Sequence, residues 1–280
     1  MTKPAILSIS SHVVRGTVGN RAAVFALETL GFPVWSVPTI TLSWHPGHGP
    51  ATRIVPPLDA FAALLADLER APWLGEVGGV LTGYLGQAEQ AGPIASLIRV
   101  VKARNRHALY VCDPVIGDGG GLYVPLPTAQ AIRDTLMPLA DIATPNRTEL
   151  DWLTGGTHST LDALIAAART ASPKAILVTS APAGENRLGN LYVDANQALL
   201  AAHDIVSPAP NGLGDLTAAL MLAHRLDGRT PVDALRLTTA SVFDCLKGAI
   251  ARGADELALE ADAALLKSPA SIFKVESLDD

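Results

Sequence analysis

The 280-residue chain has only two cysteines, Cys112 and Cys245. They form no CxxC pair and no Cys/His spacing of the zinc-binding kind. A disulfide framework would be unusual at this size, so a reducing, cytoplasmic setting is expected. Charge is sparse at 17%, and aromatic residues are 5%, against 49% hydrophobic residues. That balance excludes a disordered chain and supports a sizeable core. Basic residues are outnumbered, 21 against 27, and the net charge of −6 argues against a nucleic-acid partner. No run of about 18 apolar residues exists, so no membrane span is expected. The opening Met1-Thr2-Lys3-Pro4 leads into Ala5 to Ile9, too short and too polar at its end for a signal peptide. Also missing are the Gx4GK[ST] P-loop, a GxGxxG opening a strand–helix unit, the GxSxG elbow and HExxH. Any phosphate handling must therefore rest on other glycines.

What is present is an alternation of strand-like and helix-like runs. Ile6 to Ile9, Val34 to Ile40, Val77 to Thr82, Leu109 to Cys112, Ile142 to Thr144 and Ala175 to Thr179 read as strands. Between them, Arg21 to Leu30 reads as a helix closed by Gly31. Asp59 reads as the N-cap of a helix with Phe61, Leu64, Leu65 and Leu68 on one face. Ile94, Leu97, Ile98 and Val101 repeat at helical spacing, and Leu161 to Thr170 is helical. Leu188 to Val193 and Leu199 to His203 flank Asp194-Ala195-Asn196 and read as a hairpin. Thr230-Pro231 opens a helix towards Ala251, and Leu257 to Leu266 reads as a last helix. The pattern predicts one α/β domain over 1–280, a three-layer sandwich with a mainly parallel sheet covered on both faces. His45 to Pro57, rich in proline and glycine, reads as a long functional loop. Several strands end in polar residues, at Ser10-Ser11, Thr39, Thr82, Asp113, Thr144 and Thr179. In a parallel sheet such ends share the edge where ligands bind.

The densest signal is Asn211-Gly212-Leu213-Gly214-Asp215 before an apolar helical run, Leu216 to Leu226. Two glycines allow a tight turn that aims N–H groups at an anion, and a helix N-terminus adds its dipole. Asp215 is then either a base for a substrate hydroxyl or an ordinary N-cap. Asp113-Pro114-Val115-Ile116-Gly117-Asp118 follows a strand and offers two acids suited to Mg²⁺ held partly through water, or a solvated turn. In Thr144-Pro145-Asn146-Arg147-Thr148-Glu149, Glu149 is a capping-box acid at N3 or an outer-sphere Mg²⁺ or phosphate-side group. Ser10 to Asn20 reads as a polar, glycine-punctuated loop able to bind a small polar molecule, with His12 structural. His45-Pro46-Gly47-His48 lacks a third metal ligand, which favours a mobile loop with His45 touching substrate.

Together these segments resemble the pyridoxal kinases of the ribokinase-like superfamily. The resemblance is carried by SHVVRGTVGN (Ser11 to Asn20), LTGYLG (Leu81 to Gly86), CDPVIGDGGGLYVP (Cys112 to Pro125), TPNRTEL (Thr144 to Leu150) and NGLGDLTAALMLA (Asn211 to Ala223). It implies ATP-dependent phosphorylation of the 5′-hydroxymethyl group of pyridoxal, with Mg²⁺ required and a monovalent cation an open addition. Carried over by residue, Ser11, His45 and Tyr84 would contact the pyridine substrate. Asp113, Thr144, Glu149 and Thr179 would face ATP, with Asp118 and Glu149 on the metal side. Asp215 would be the base, and the amides of Gly212, Leu213, Gly214 and Asp215 would hold the transferring phosphoryl group. A homodimer is implied as well. The chain departs from the family pattern at Ser43-Trp44-His45-Pro46, where Ser-Asn-His-Thr is common. It departs again at Thr179, where a lysine is common, and in the short stretch His203 to Pro210 beside the expected nucleotide. Two other readings share these motifs: a hydroxymethylpyrimidine kinase on the same fold, and a non-catalytic protein that binds vitamin B6 or nucleotide.

Overall fold

The computed structural model of the chain describes residues 2–279. In chain order its elements are β1 (Ala5–Val13), α1 (Asn20–Thr29), β2 (Val34–Leu42), β3 (Arg53–Ile54), α2 (Leu58–Arg70), β4 (Val77–Thr82), α3 (Ala91–Arg104) and β5 (Leu109–Cys112). There follow β6 (Gly117–Asp118), β7 (Gly121–Leu122), α4 (Leu126–Ala131), β8 (Ile142–Ala143), α5 (Arg147–Thr154), α6 (Leu161–Thr170) and β9 (Ile176–Pro182). The chain closes with β10 (Arg187–Val193), β11 (Ala198–Asp204), α7 (Leu213–Leu226), α8 (Pro231–Ala251), α9 (Ala263–Lys267) and β12 (Val275–Ser277).

Ten strands form one sheet in the order β12-β11-β10-β9-β8-β5-β4-β1-β2-β3. The run from β9 to β2 is parallel. Antiparallel strands extend both ends, β10 to β12 on one side and β3 on the other. Helices cover both faces because the central strands are apolar on both. From β1, Leu7 and Ile9 enter the core shared with α2 to α6, and Ile6 enters the core shared with α1, α7 and α8. Each such side chain, fully buried, contributes roughly 1.5–3 kcal/mol of transfer free energy. The predicted three-layer α/β architecture and the hairpin of β10 and β11 are both present.

Local expectations needed four corrections. β1 runs on to Val13, so Ser10 and Ser11 lie inside a strand; its pairing with β2 continues past a register shift between Ser10 and His12. The cap of α2 is Pro57, whose carbonyl accepts the Phe61 amide at 2.9 Å; Asp59 sits in the first turn, and Leu64 is 49% exposed. Thr39 lies within β2, and the 45–57 segment contains β3. The last helix spans only Ala263–Lys267, because the preceding backbone bridges Asn211 at Glu256 and buries Leu257 and Leu259, two residues apart, in extended or turn form.

Candidate active site

α7 opens at Gly212, which takes the left-handed conformation at φ 93°. A Cβ there would stand 2.0 Å from the Thr17 carbonyl oxygen, so both dihedral and space require glycine. Leu216 is the first amide to find a helical partner, the Gly212 carbonyl at 3.0 Å. The amides of Leu213, Gly214 and Asp215 are thus left at the positive end of a 14-residue helix. Asp215 stands in the first turn, and Gly212 is the cap, which replaces the N-cap alternative for Asp215. Burial pushes the Asp215 carboxyl up to about 6, opposed by the amides of Gly19 and of Asp215 itself.

Asp113 leaves β5 beside this turn, its Oδ2 lying 4.0 Å from where a Cβ on Gly214 would be. Thr144, at the end of β8, donates its hydroxyl to Asp113 Oδ1 at 2.9 Å. Burial, and then the charges of Glu149 and Asp215, hold the Asp113 carboxyl well above the usual range. Glu149 closes a capping box with Asn146 at the start of α5. Its carboxylate also accepts the amides of Ile116 at 2.8 Å and Gly117 at 3.3 Å, and that of Asn146 at 2.8 Å. Burial still wins and pushes Glu149 up to about 7. Asp118 is exposed on the β6–β7 hairpin, which Asn146 Nδ2 anchors through the Gly117 carbonyl at 2.8 Å. Thr179, in β9, bridges Asn146 through a bond from its amide to the Pro145 carbonyl at 2.9 Å.

The other expected residues line the β1–β4 side. Ser11 is buried against Gly19, where a Cβ would lie 2.4 Å from its Oγ. Tyr84 follows Gly83, whose Cβ position is 3.8 Å from Asp215 Oδ1; the Tyr84 hydroxyl accepts from Arg53 Nη2 at 3.0 Å. His45 accepts the Gly47 amide at Nδ1, 3.1 Å away, so its neutral ring carries the proton on Nε2. Burial lowers its pKa, which favours that neutral form.

Beside the carboxylates lie one residue not singled out in the sequence, Tyr123, and a small cavity at Ser10. Tyr123, beyond β7, is half exposed and sits in the field of Glu149, Asp113, Asp215 and Asp118; partial desolvation and these charges raise its phenol pKa. Its place in the Leu122-Tyr123-Val124-Pro125 stretch was the available signal. Ser10 lines a cavity with Asp113, Asp215, Thr82 and Gly83, with room for about one water, and its Oγ has no hydrogen-bond partner.

The donor set suits Mg²⁺, being carboxylates in mutual repulsion with a hydroxyl alongside. Among the described residues no group of three or more acids, histidines or cysteines forms a protein-only metal cage. That is the usual situation when substrate phosphates supply the remaining oxygens.

A mainly parallel α/β sandwich, with an aspartate in the first turn of a glycine-opened helix at the carboxyl edge of its sheet, is the arrangement of a kinase of ribokinase-like fold. The family model described as phosphomethylpyrimidine kinase matches residues 75–259. A pyridoxal kinase PdxY of Rubrobacter xylanophilus is 38% identical over 278 residues, covering 96% of each chain. One from Granulibacter bethesdensis is 38% identical over 279 residues, covering 96% of this chain and 98% of its own. The structure of pyridoxal kinase from Leishmania donovani in complex with ADP and pyridoxamine superposes with a TM-score of 0.92 at 27% identity, covering 99% and 100% of the two chains. The chain belongs to the pyridoxal kinase family.

Proposed function

We infer that the protein transfers the γ-phosphoryl group of ATP to the 5′-hydroxymethyl group of pyridoxal, pyridoxine or pyridoxamine, a step of vitamin B6 salvage. The observation that carries this reading is the Asp215 carboxyl, its pKa raised by desolvation, in the first turn of α7 beside the amides that open that helix. With its pKa near 6, Asp215 is ionised at neutral pH and still basic enough to accept the proton of the attacking hydroxyl. The amides of Leu213, Gly214 and Asp215, with Gly212 shaping the turn, receive the charge of the transferring phosphoryl group. Asp118 and Glu149 would hold Mg²⁺, partly through water and with substrate phosphates, with Asp113 alongside; the ion supplies neutralisation of phosphate charge when bound. Thr144 keeps Asp113 oriented through its hydroxyl. Ser11, Tyr84 and His45 Nε2 offer polar contacts to the pyridine substrate.

The purine has a separate groove at the same edge of the sheet, lined by Arg187, His203, Phe243, Ser271, Phe273 and Lys274. The His203 and Phe243 rings lie 5.1 Å apart, and those of Phe243 and Phe273 5.2 Å apart. β11, which ends there, stands three strands from β8. At roughly 4.8 Å per strand that is about 14 Å, a span an extended nucleoside triphosphate bridges. The Phe243→Ala variant is expected to raise KM for ATP about tenfold while leaving KM for pyridoxal within about twofold.

The decisive experiment is ADP release with Mg-ATP and each of the three vitamers, alongside hydroxymethylpyrimidine. Turnover of a vitamer well above that of the pyrimidine is expected. Preference for the pyrimidine would make the protein a hydroxymethylpyrimidine kinase. Tight binding of pyridoxal without ADP release would make it non-catalytic. A homodimer belongs to the same reading, and sedimentation at twice the 29.1 kDa chain mass is expected.

A further inference from the structure

One buried carboxylate outside the reacting groups gathers three segments of the site. Glu256 follows α8 and is nearly enclosed. Its Oε2 accepts the Thr17 amide at 3.2 Å, and its Oε1 lies 2.7 Å from His48 Nε2. The Glu256 backbone bridges Asn211, and the next carbonyl, that of Leu257, accepts Thr17 Oγ1 at 2.7 Å. The Thr17 carbonyl in turn lies against Gly212. Thus the 45–49 turn, the 14–19 loop and the turn that opens α7 meet around one side chain. The fit is close: a Cβ on Gly16 would stand 2.6 Å from Glu256 Oε1, and one on Gly47 3.4 Å from Asn211 Nδ2. Arg15 and Asp255 flank the contact; Arg15 Nη1 lies 4.0 Å from Glu256, and Asp255 Oδ2 lies 3.9 Å from His48 Nδ1.

We propose, resting on the function inferred above, that Glu256 is a positioning residue which, with His48, clasps the loop bearing Trp44 and His45 onto the acceptor-alcohol side of the site. The loop has few other anchors. β3 contributes two residues, and the Trp44 indole bonds within the loop, to the Gly49 carbonyl at 3.2 Å. His45 lies three positions before His48, on the same short turn, so fixing His48 fixes where His45 Nε2–H points. The same carboxylate holds Thr17, whose carbonyl packs on the phosphoryl-receiving turn, and so sets the loop in register with that turn. The clasp touches no reacting atom. It acts on how the alcohol is held.

Steady-state kinetics test this. His48→Ala, on an exposed turn, is expected to raise KM for pyridoxal about tenfold with kcat within about threefold and KM for ATP unmoved. Glu256→Ala removes that contact and the Thr17 bond as well, so it should raise KM for pyridoxal at least as far, and the double variant should be no worse than Glu256→Ala alone, because the His48 contact is already gone. His48→Gln keeps an N–H donor and should recover most of the loss. Effects that multiply in the double variant overturn the clasp, as does a fall in kcat together with thermal stability in His48→Ala. A wild-type protein inactive on pyridoxal would instead overturn the inferred function. Hydrogen exchange at the amides of 47–49 then reads the clasp directly: faster exchange in both alanine variants supports it, and unchanged exchange overturns it.

Discussion

Asp215 serves two opposed demands in one carboxyl group. The same burial that raises its pKa from 3.8 to about 6 makes its ionised form costly to the fold. Its folded pKa lies above the unfolded value, so its contribution to stability is present below pH 3.8 and is lost as pH rises through about 6. At pH 8 the protein therefore carries a penalty of up to about 3 kcal/mol at this position. Asp215→Asn is expected to lower kcat by about 10²-fold or more and to raise the melting temperature at pH 8 but not at pH 4. Turnover and calorimetry on the same preparation check both halves. For wild type, kcat/KM should rise with pH through about 6 as Asp215 ionises. Gly214 makes a different point: a methyl there meets only Asp113 Oδ2 at 4.0 Å, an ordinary contact. Gly214→Ala should fold with little change in stability. Its turnover should nonetheless drop about tenfold or more, since the methyl occupies space between the helix amides and Asp113.

At the scale of elements, the start of α5 is both a helix end and a wall of the site. Asn146 accepts the Glu149 amide at 2.9 Å, and Glu149 accepts the amides of Asn146, Ile116 and Gly117. Removing that carboxylate strands three amides, those of Ile116 and Gly117 buried and that of Asn146 part-buried, each costing roughly 1 kcal/mol or more. Glu149→Ala is expected to lose about 3 kcal/mol in urea unfolding and to free the β6–β7 hairpin, with faster proteolysis around residue 118. Of the two readings of Glu149 in the sequence, the capping acid is the one formed here, and the metal-side acid belongs to the proposed function. The capping box was legible because it needs only residues three apart. The bonds to Ile116 and Gly117 were not, because they cross 33 and 32 positions of chain.

At the scale of the molecule, the parallel sheet brings carboxylates from β5, α5 and α7 to one edge, where they repel each other. A divalent cation relieves that repulsion only when they are ionised. Mg²⁺ at millimolar concentration is therefore expected to raise the melting temperature at pH 8 and to have little effect at pH 5, where Glu149 and Asp215 are largely protonated. A chelator should reverse the gain at pH 8 and abolish turnover. Equal shifts at both pH values would place the ion elsewhere.

The alternation of strands and helices, the layered α/β class and the glycine turn that starts α7 were legible in the amino-acid order alone. Each rests on periodicity or on dihedral freedom within a few residues. The order of motifs along the chain also carried the family. Only the tertiary structure decided that β1 continues through Ser10 and Ser11, because β2 pairs with it there. It also decided that Leu257 and Leu259 leave the helical pattern to fill the core beside α1 and α7. Above all, it decided the company of each acid. Asp215 is an aspartate after two glycines until burial raises its pKa and the Gly19 amide, from a distant part of the chain, bonds its carboxyl; its charge in turn acts on Asp113. Glu256 gave no local signal, since a carboxylate that joins three loops acquires that role only when the loops are packed together.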